Sequence, residues 1–319
     1  MSEKKYALIL TDTKAGHENQ SKALARMLGL EARLVVVEYR GKFAKGLSYV
    51  LSHLGIYARW LFHLGVKGMR KVTPEEVAVV LGTGSGTFYP AAVMARELGV
   101  KCGVVLYPRG YNMKMFDCII APRFDQPAEK INIISVPANL VANDESYYAA
   151  GVETFREKHA VKEGVNAAAV VIGGPNKCST MTKEWMKGEL DKIFGEKEDG
   201  QEMWVTTSRR TPADVEALVD TYAWDYKLIY SRDHYNPIPA FVKLCRKLYV
   251  TAESTGMLSE AVTCGEAEVE VLDNLVGGEN KFRMFVNALR SHGHVGGKKK
   301  VDIARKMQRA KKLLLGDEG

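Results

Sequence analysis

The amino-acid sequence predicts an α/β protein with two Rossmann-like, doubly wound domains that face a cleft. Three observations predict this architecture. The 319 residues exceed what one hydrophobic core usually supports, short apolar runs alternate with helical patterns, and a polar stretch divides these runs into two series. Apolar residues make up 46% of the chain, which is enough for two cores.

The first series contains apolar runs of strand length with helical patterns between them. The runs are YALIL at 6–10, LVVVE at 34–38, VAVVL at 77–81, CGVVL at 102–106, CIIA at 118–121 and INIISV at 131–136. Runs that are apolar at nearly every position indicate strands buried on both faces of a parallel sheet. The helical patterns provide the crossover connections that parallel strands need.

The stretch at 143–163 is polar and helix-prone, and we interpret it as a connection between the domains. A second series follows, with the runs NAAAVVIGG at 166–174, MWVTTS at 203–208, KLIYS at 227–231, KLYVTAE at 247–253 and VEVLD at 269–273. We therefore expect an N-terminal domain at 1–150, a C-terminal domain at 151–290 and a basic C-terminal helix at 291–319. Because open parallel sheets bind ligands at the carboxyl ends of their strands, the loops after these runs are candidate sites.

Composition restricts the compartment and the partners. The net charge of +7 favours anionic partners. Nothing in the sequence other than this charge indicates nucleic-acid binding, so we expect no nucleic-acid partner. The five cysteines are scattered without a CxxC pair, so neither a zinc site nor a disulfide framework is predicted. The N-terminal apolar run is too short for a signal peptide, and no run is long enough to span a bilayer. We expect a cytoplasmic protein.

The loop after the first run contains Gly16 and His17 at the predicted start of a helix. Gly16 permits a close ligand approach or a positive φ, and a helix start offers unpaired N–H groups to an anion. His17 can accept a proton near neutral pH, or it can simply cap or pack at the helix start. The residues alone leave both roles open.

The loop after the third run, GTGSGT at 82–87, has the glycine content of a phosphate-binding turn. It is not a GxGxxG motif, because Thr87 occupies the position of the third glycine. The chain also lacks GxxxxGK[ST], which argues against a P-loop nucleotidase. A ligand contact at Gly82 and Gly84 and a sharp turn for close packing both remain open.

Two loops of the second series contain groups that suit a diphosphate. Gly173 and Gly174 carry no side chain that would block a ligand, and Arg209 and Arg210 follow the next strand-length run. Arginine binds phosphate oxygens in a bidentate manner, so adjacent guanidinium groups on a strand-end loop favour a diphosphate.

A third loop, ESTGMLSE at 253–260, passes from a strand into a helix. Ser254 or Thr255 can cap this helix, and the N–H groups of its first turn can then hold a phosphate. Glu260 lies further along the helix and can accept hydrogen bonds from a ribose diol. A capping motif followed by a solvated glutamate is the alternative.

The segments DTKAGHENQS, VIGGPNK, TSRRTP, HYNP and VTAESTGMLSEA together resemble the family named after a plant mitochondrial fission protein, in the family's order and over residues 8–275. The chain departs from the family pattern at Cys178, Glu253 and Gly256, where the family has histidine, aspartate and serine. The family is similar to GT-B glycosyltransferases, in particular the N-acetylglucosaminyltransferase that completes lipid II. The resemblance therefore implies a GT-B-like pair of domains.

The resemblance also implies roles for the loops. The residues expected to bind the donor diphosphate and ribose are Gly173, Gly174, Ser208, Arg209, Arg210, Ser254, Thr255, Met257 and Glu260. His17 is expected to be the catalytic base, and the residues expected on the acceptor side are Asp12, Gly16, Asn19, Gln20, Gly82 and Gly84. In GT-B chains a C-terminal helix often crosses back to the first domain, which we expect of residues 291–319.

We accordingly predict a glycosyltransferase that moves a sugar from a nucleotide-diphosphate donor to an unknown acceptor, for which a lipid-linked or cell-envelope molecule is one candidate. No Asp-x-Asp pair lies in a suitable loop, so we expect neither a metal ion nor a cofactor. The alternative is a non-catalytic nucleotide-binding or scaffold protein. An epimerase or dehydrogenase of the GxGxxG type is disfavoured, since no tyrosine is followed by lysine four residues later.

Two segments suggest peripheral contact with an anionic membrane. In 43–67 the apolar residues Leu47, Leu51, Leu54, Tyr57 or Ala58, Leu61 and Leu64 recur at helical spacing, with Trp60 and Phe62 beside them. The tail from Gly297 predicts a basic amphipathic helix. A helix that packs on the core and a solvated basic face are the respective alternatives.

Overall fold

The computed structural model describes residues 5–60, 66–67 and 76–316. The helices are α1 Ala15–Met27, α2 Lys42–His53, α3 Phe88–Leu98, α4 Glu145–Lys158, α5 Lys183–Gly195, α6 Ala213–Val219, α7 Ile238–Leu244, α8 Thr255–Cys264, α9 Lys281–Ser291 and α10 Ala304–Leu315. The strands are β1 Tyr6–Thr11, β2 Glu31–Val36, β3 Glu38–Tyr39, β4 Val66–Lys67, β5 Val77–Thr83, β6 Lys101–Val105, β7 Cys118–Pro122, β8 Ile133–Val136, β9 Ala167–Val171, β10 Glu202–Thr206, β11 Tyr226–Leu228, β12 Lys247–Thr251 and β13 Glu268–Leu272.

The chain forms two compact units. The first contains the chain up to Ala142 and again from Ile303, and the second is the continuous segment Asn143–Asp302. The sequence-based boundaries were placed at 150 and 291, inside α4 and at the end of α9. Both units are α/β and built on a parallel sheet, so the predicted pair of Rossmann-like domains is confirmed.

The sheet of the first unit has the strand order β2-β1-β5-β6-β7-β8, and its neighbouring strands are parallel. Strand β1 of this sheet is buried on both faces: Leu8 and Leu10 belong to one core cluster, and Ala7 and Ile9 belong to another. The strand order reverses direction between β1 and β5. The loops that follow these two strands therefore flank the topological switch point, where open α/β sheets bind ligands.

The sheet of the second unit has the order β11-β10-β9-β12-β13, which matches five of the six strands of the Rossmann order 3-2-1-4-5-6. Every neighbouring pair in it is parallel. Ala168, Val170 and Val205 contribute to its core. The switch point of this sheet lies between β9 and β12, so the loops after Val171 and Thr251 meet there.

Helix α10 belongs to the first unit. Its residues Met307, Ala310 and Leu314 lie in the same core cluster as Ile9. Two basic side chains of the helix bind the first unit. Lys306 donates a hydrogen bond to the carbonyl oxygen of Ser135, and Arg309 donates one to the carbonyl oxygen of Ile131.

The stretch interpreted as a connection between domains forms helix α4 of the second unit. Tyr148 and Phe155 of this helix are fully buried. The Phe155 ring lies 4.9 Å from that of Trp204 and 5.8 Å from that of Phe241, centroid to centroid. The stretch is polar overall, so its sequence did not indicate that Tyr148 and Phe155 pack the helix into the second unit.

Segment 43–67 is not one continuous helix, contrary to the helical spacing of its apolar residues. Helix α2 ends at His53, and Gly55 adopts a φ of +69°, a conformation that typically terminates helices. Leu51 is buried, but Leu54 is 66% exposed. Leu61, Phe62 and Leu64 lie outside the described residues. Among the residues the structure describes, no helix is long and apolar enough to cross a membrane.

Candidate functional site

The loops at the switch point of the second unit form one hydrogen-bonded junction. The Gly173 N–H donates to Thr251 Oγ1 over 2.9 Å, and the Gly174 N–H donates to Glu253 Oε1 over 2.7 Å. The Thr251 hydroxyl donates in turn to Glu253 Oε1 over 3.1 Å. The amide groups of the glycine loop are thus directed to β12 and the residues after it.

The carbonyl groups of the same loop bind the loop after β10. The Gly173 oxygen accepts hydrogen bonds from the hydroxyl groups of Ser208, over 2.9 Å, and Thr211, over 2.6 Å. The Gly174 oxygen accepts one from Arg210 Nη1 over 3.2 Å. The loop therefore positions Arg210 at the switch point, while the backbone groups of both glycines are engaged within the protein.

Close packing explains the two glycines better than ligand approach does. A Cβ atom on Gly173 would overlap Glu253 Oε1, and one on Gly174 would overlap the backbone of Arg210. Both overlaps are with neighbouring loops of the same unit. The sequence predicted the glycines as an opening for a ligand, whereas the structure gives them a second role as the contact between loops.

Arg209 and Arg210 are both exposed, and they differ in their contacts. Arg210 is fixed at one N–H by the Gly174 carbonyl group. Arg209 makes no hydrogen bond or ion pair with the residues that the structure describes. Two guanidinium groups, one anchored and one available, offer bidentate sites for phosphate oxygens at the carboxyl edge of the sheet.

Helix α8 begins next to this junction. Ser254 is its N-cap residue, yet its side chain does not cap the helix; its hydroxyl instead contacts Met257 Sδ at 3.2 Å. The expected side-chain cap by Ser254 is therefore wrong. No acidic residue lies in the first turn, and a helix N-terminus attracts anions through its N–H groups and its dipole.

Glu253 is a residue that sequence analysis noted only as a departure from the family pattern. It is 3% exposed and lies directly before the N-cap. Its Oε1 atom joins Gly174 and Thr251, and its Oε2 atom is buried without a partner among the described residues. A carboxylate can accept from both donors at once, so Glu253 connects β9 to β12 at the switch point.

Glu260 contacts helix α4, which the sequence did not predict. The Tyr148 hydroxyl donates to Glu260 Oε1 over 2.9 Å. Burial raises the pKa of Glu260, and hydrogen bonds from Tyr148 and Asn143 partly oppose this rise. Burial and the charge of Glu260 also raise the pKa of Tyr148. Contact of Glu260 with a ribose stays a prediction.

The switch point of the first unit contains an aspartate–histidine pair. His17 Nδ1 lies 3.0 Å from Asp12 Oδ1 and 3.2 Å from Asp12 Oδ2. Lys14 Nζ donates to the same carboxylate over 2.7 Å. Burial alone would raise the pKa of Asp12, but the hydrogen bonds and positive charges of Lys14 and His17 lower it below its usual value. Because a carboxylate only accepts, Nδ1 carries a proton in this contact, and in the neutral ring the lone pair is then on Nε2.

The loop after β5 makes room for this pair. Gly84 has a φ of +86°, and a Cβ atom on it would overlap the His17 ring. A Cβ atom on Gly86 would lie 3.3 Å from that of Asp12, and one on Gly82 would lie 2.9 Å from Thr87 Oγ1. Gly82, near the end of β5, thus allows close packing against Thr87, and Gly84 lies against the predicted base.

The other residues predicted on the acceptor side lie on α1. Gly16 does not have a positive φ; the positive value in this loop is at Thr13, with 64°. The space around a Cβ on Gly16 is open to 4 Å. Asn19 is exposed, whereas Gln20 is buried and its Oε1 atom has no partner among the described residues. These two side chains thus have opposite environments.

Solved structures similar to the chain include a UDP-GlcNAc 2-epimerase and a UDP-glucosyltransferase. MnaA from S. aureus, solved with UDP, has a TM-score of 0.50 at 14% identity and covers 99% of this chain and 98% of its own. UDP-GlcNAc 2-epimerase from Neisseria meningitidis, solved with UDP-GlcNAc, has a TM-score of 0.50 at 12% identity, and the match covers 97% of this chain and 98% of the epimerase. A UDP-glucosyltransferase from Polygonum tinctorium has a TM-score of 0.50 at 11% identity, and the match covers 100% of this chain and 91% of the glucosyltransferase.

These similarities show that the chain has a GT-B-like fold. One of the similar structures is an epimerase. The absence of GxGxxG and of the tyrosine–lysine pair therefore argues only against epimerases of the GxGxxG type, and not against epimerases with this fold. Among curated proteins, no sequence matches the chain significantly. The sequence pattern described as mitochondrial fission ELM1 matches residues 15–308, and the chain therefore belongs to the mitochondrial fission ELM1 family.

Proposed function

We propose that the protein transfers a sugar from a nucleotide-diphosphate donor to an acceptor hydroxyl group, without a metal ion or cofactor. The proposal rests on the functional groups that lie at the switch points of the two sheets. One presents a histidine oriented by an aspartate, and the other presents an arginine pair beside an uncapped helix start. Base and diphosphate site are the two parts that an inverting transfer requires.

The second unit is assigned the donor. Arg209, Arg210 and the N–H groups at the start of α8 bind the diphosphate, and the Glu260 carboxylate accepts from the ribose while it keeps its hydrogen bond from Tyr148. Similar structures were solved with UDP and UDP-GlcNAc, which supports a uridine diphosphate sugar as the donor.

The first unit is assigned the acceptor. His17 Nε2 takes the proton from the acceptor hydroxyl group, while Asp12 stabilises the imidazolium that forms. The acceptor oxygen attacks the anomeric carbon, and the bond between that carbon and the diphosphate oxygen breaks. The electron pair leaves with the nucleoside diphosphate, whose added charge Arg209 and Arg210 stabilise.

Stabilisation by UDP tests the donor assignment. A ligand at 100 times its dissociation constant stabilises a protein by about 2.7 kcal/mol, so UDP should raise the unfolding temperature of the second unit. The double variant Arg209→Ala/Arg210→Ala should lose most of this rise. Arg156→Ala removes an exposed arginine from α4 and should retain it. An equal rise in the double variant would place the nucleotide elsewhere, and UDP binding without turnover would favour the scaffold alternative.

Peripheral contact with an anionic membrane is the second part of the proposal. Phe43 is 84% exposed and Trp60 is 56% exposed, with Lys42 and Arg59 next to them in sequence. Exposed apolar side chains beside cations favour an interface with acidic lipids.

Cosedimentation with phosphatidylserine vesicles measures this contact. Replacing Phe43 and Trp60 by serine should reduce the bound fraction, because less apolar area then enters the interface. Val276→Ser, which removes a 44% exposed apolar residue from the second unit, is the matched control. Equal binding of the double variant and the control would contradict the proposed contact.

A further inference from the structure

A lysine next to the aspartate–histidine pair has no carboxylate partner. Lys45, on α2, donates a hydrogen bond from Nζ to Ser85 Oγ over 3.0 Å. Its side chain is partly buried, and no carboxylate lies within ion-pair distance of it among the residues that the structure describes. A partly buried cation without a counter-ion favours an anionic ligand, because desolvating a charge is unfavourable unless it is paired.

Lys45 and His17 meet at the same three-residue loop. Ser85 contacts Lys45, and the residues on either side of it, Gly84 and Gly86, lie against the His17 ring and Asp12. An acceptor bound at this loop can therefore reach the lysine and the base together.

Buried groups hold this loop in place. The Tyr111 hydroxyl donates to the Ser85 carbonyl oxygen over 3.1 Å. Ser48 Oγ lies 3.3 Å from the same hydroxyl, and the Tyr111 ring stacks on that of Tyr49 with centroids 4.2 Å apart. Lys45 Nζ thus contacts a preorganised loop.

The acidic groups near the pair are already compensated. Asp12 is bound by Lys14 and His17, and Glu18 in the first turn of α1 pairs with Lys22 over 2.6 Å. The helices α1 and α3, which start at this switch point, have no side-chain cap at their N-termini. These acidic groups therefore do not neutralise Lys45, and the dipoles of the two helix starts favour an anion.

We propose that the acceptor carries a phosphate group, which Lys45 and the Ser85 hydroxyl bind beside the hydroxyl group that His17 deprotonates. Lysine and serine together supply the donors that a phosphate needs. The inference rests on the proposed function, since it takes His17 to act on the acceptor. The phosphate belongs either to a soluble phosphate ester or to a lipid headgroup.

Imidazole NMR resonances of the full chain test this site. The measurement uses the Arg209→Ala/Arg210→Ala background, in which the proposed diphosphate site is disabled, and His17→Gln in the same background assigns the His17 signals. Inorganic phosphate should shift these signals in a saturable way. Lys45→Gln should weaken phosphate binding about ten-fold or more, as expected for a lost charged hydrogen bond. Lys130→Gln, an equal charge loss at an exposed lysine of the first unit outside both proposed binding surfaces, should leave the affinity unchanged.

Two further probes distinguish the sources of the phosphate. A shift with glycerol 3-phosphate indicates a soluble ester, and a shift only with phosphatidate vesicles indicates a lipid. Unshifted His17 signals with inorganic phosphate, glycerol 3-phosphate and phosphatidate vesicles would overturn the proposal, as would equal affinities of Lys45→Gln and Lys130→Gln. Unchanged signals from the other histidines show that Lys45→Gln is folded. The UDP measurement is independent, so UDP stabilisation without a phosphate response refutes this inference alone, and the converse refutes the donor assignment alone.

Discussion

Replacing His17 by glutamine is expected to reduce turnover about 10²- to 10⁴-fold, the usual contribution of a general base. The amide group keeps much of the side-chain volume beside Gly84 but cannot accept a proton from the acceptor. Asp12→Asn should reduce turnover as well, because the amide no longer fixes Nδ1 as the protonated nitrogen. The measurement is release of UDP from a UDP-sugar in the presence of the acceptor.

His292→Gln is the matched control, since it removes an exposed imidazole from the second unit. Its turnover should equal that of the unaltered protein. UDP-dependent stabilisation should be the same in all three variants, because His17 and Asp12 lie in the first unit and His292 is not among the residues assigned to the donor. Full turnover of His17→Gln would remove this residue as the base.

Gly174→Ala is expected to lower the free energy of unfolding by about 1–3 kcal/mol, the usual effect of overpacking. The added methyl group would overlap the Arg210 backbone, so the loops after β9 and β10 must separate. Because that separation also moves Arg210, UDP-dependent stabilisation should decrease as well. Denaturant unfolding with and without UDP measures both effects.

Gly188→Ala is the matched control for this change. Gly188 lies in helix α5, and a Cβ atom on it would have no neighbour within 4 Å. Alanine there should stabilise the helix by about 0.5–1 kcal/mol and leave UDP binding unchanged. If both alanine variants behaved alike, close contact between the loops would not be the reason for Gly174.

The strands could be predicted from sequence because their signal is local. A buried parallel strand is apolar at nearly every position, and the runs at 6–10 and 247–253 each contain the observed strand or its greater part. The candidate loops followed from the rule that parallel strands bind ligands at their carboxyl ends. The pairing of His17 with Asp12 is also close in sequence, although its geometry needed the structure.

The contacts that connect distant segments could not be predicted. Gly174 and Glu253 are 79 residues apart, and Tyr148 and Glu260 are 112 residues apart. No periodicity records which loops touch, so the glycines indicated an opening rather than a packed junction. The helix predicted from the spacing of apolar residues in 43–67 was longer than α2, because this spacing continues past Gly55. The positive φ of Gly55 is not visible in the pattern of apolar residues.

The division of the chain has a consequence for synthesis on the ribosome. The second unit is continuous, so its core can close as soon as residue 302 has emerged. The core of the first unit is completed only by Met307, Ala310 and Leu314, which share one face of its sheet with residues of α1. During translation the earlier-made half therefore finishes folding last, and its nascent apolar surface requires protection for nearly the whole period of elongation.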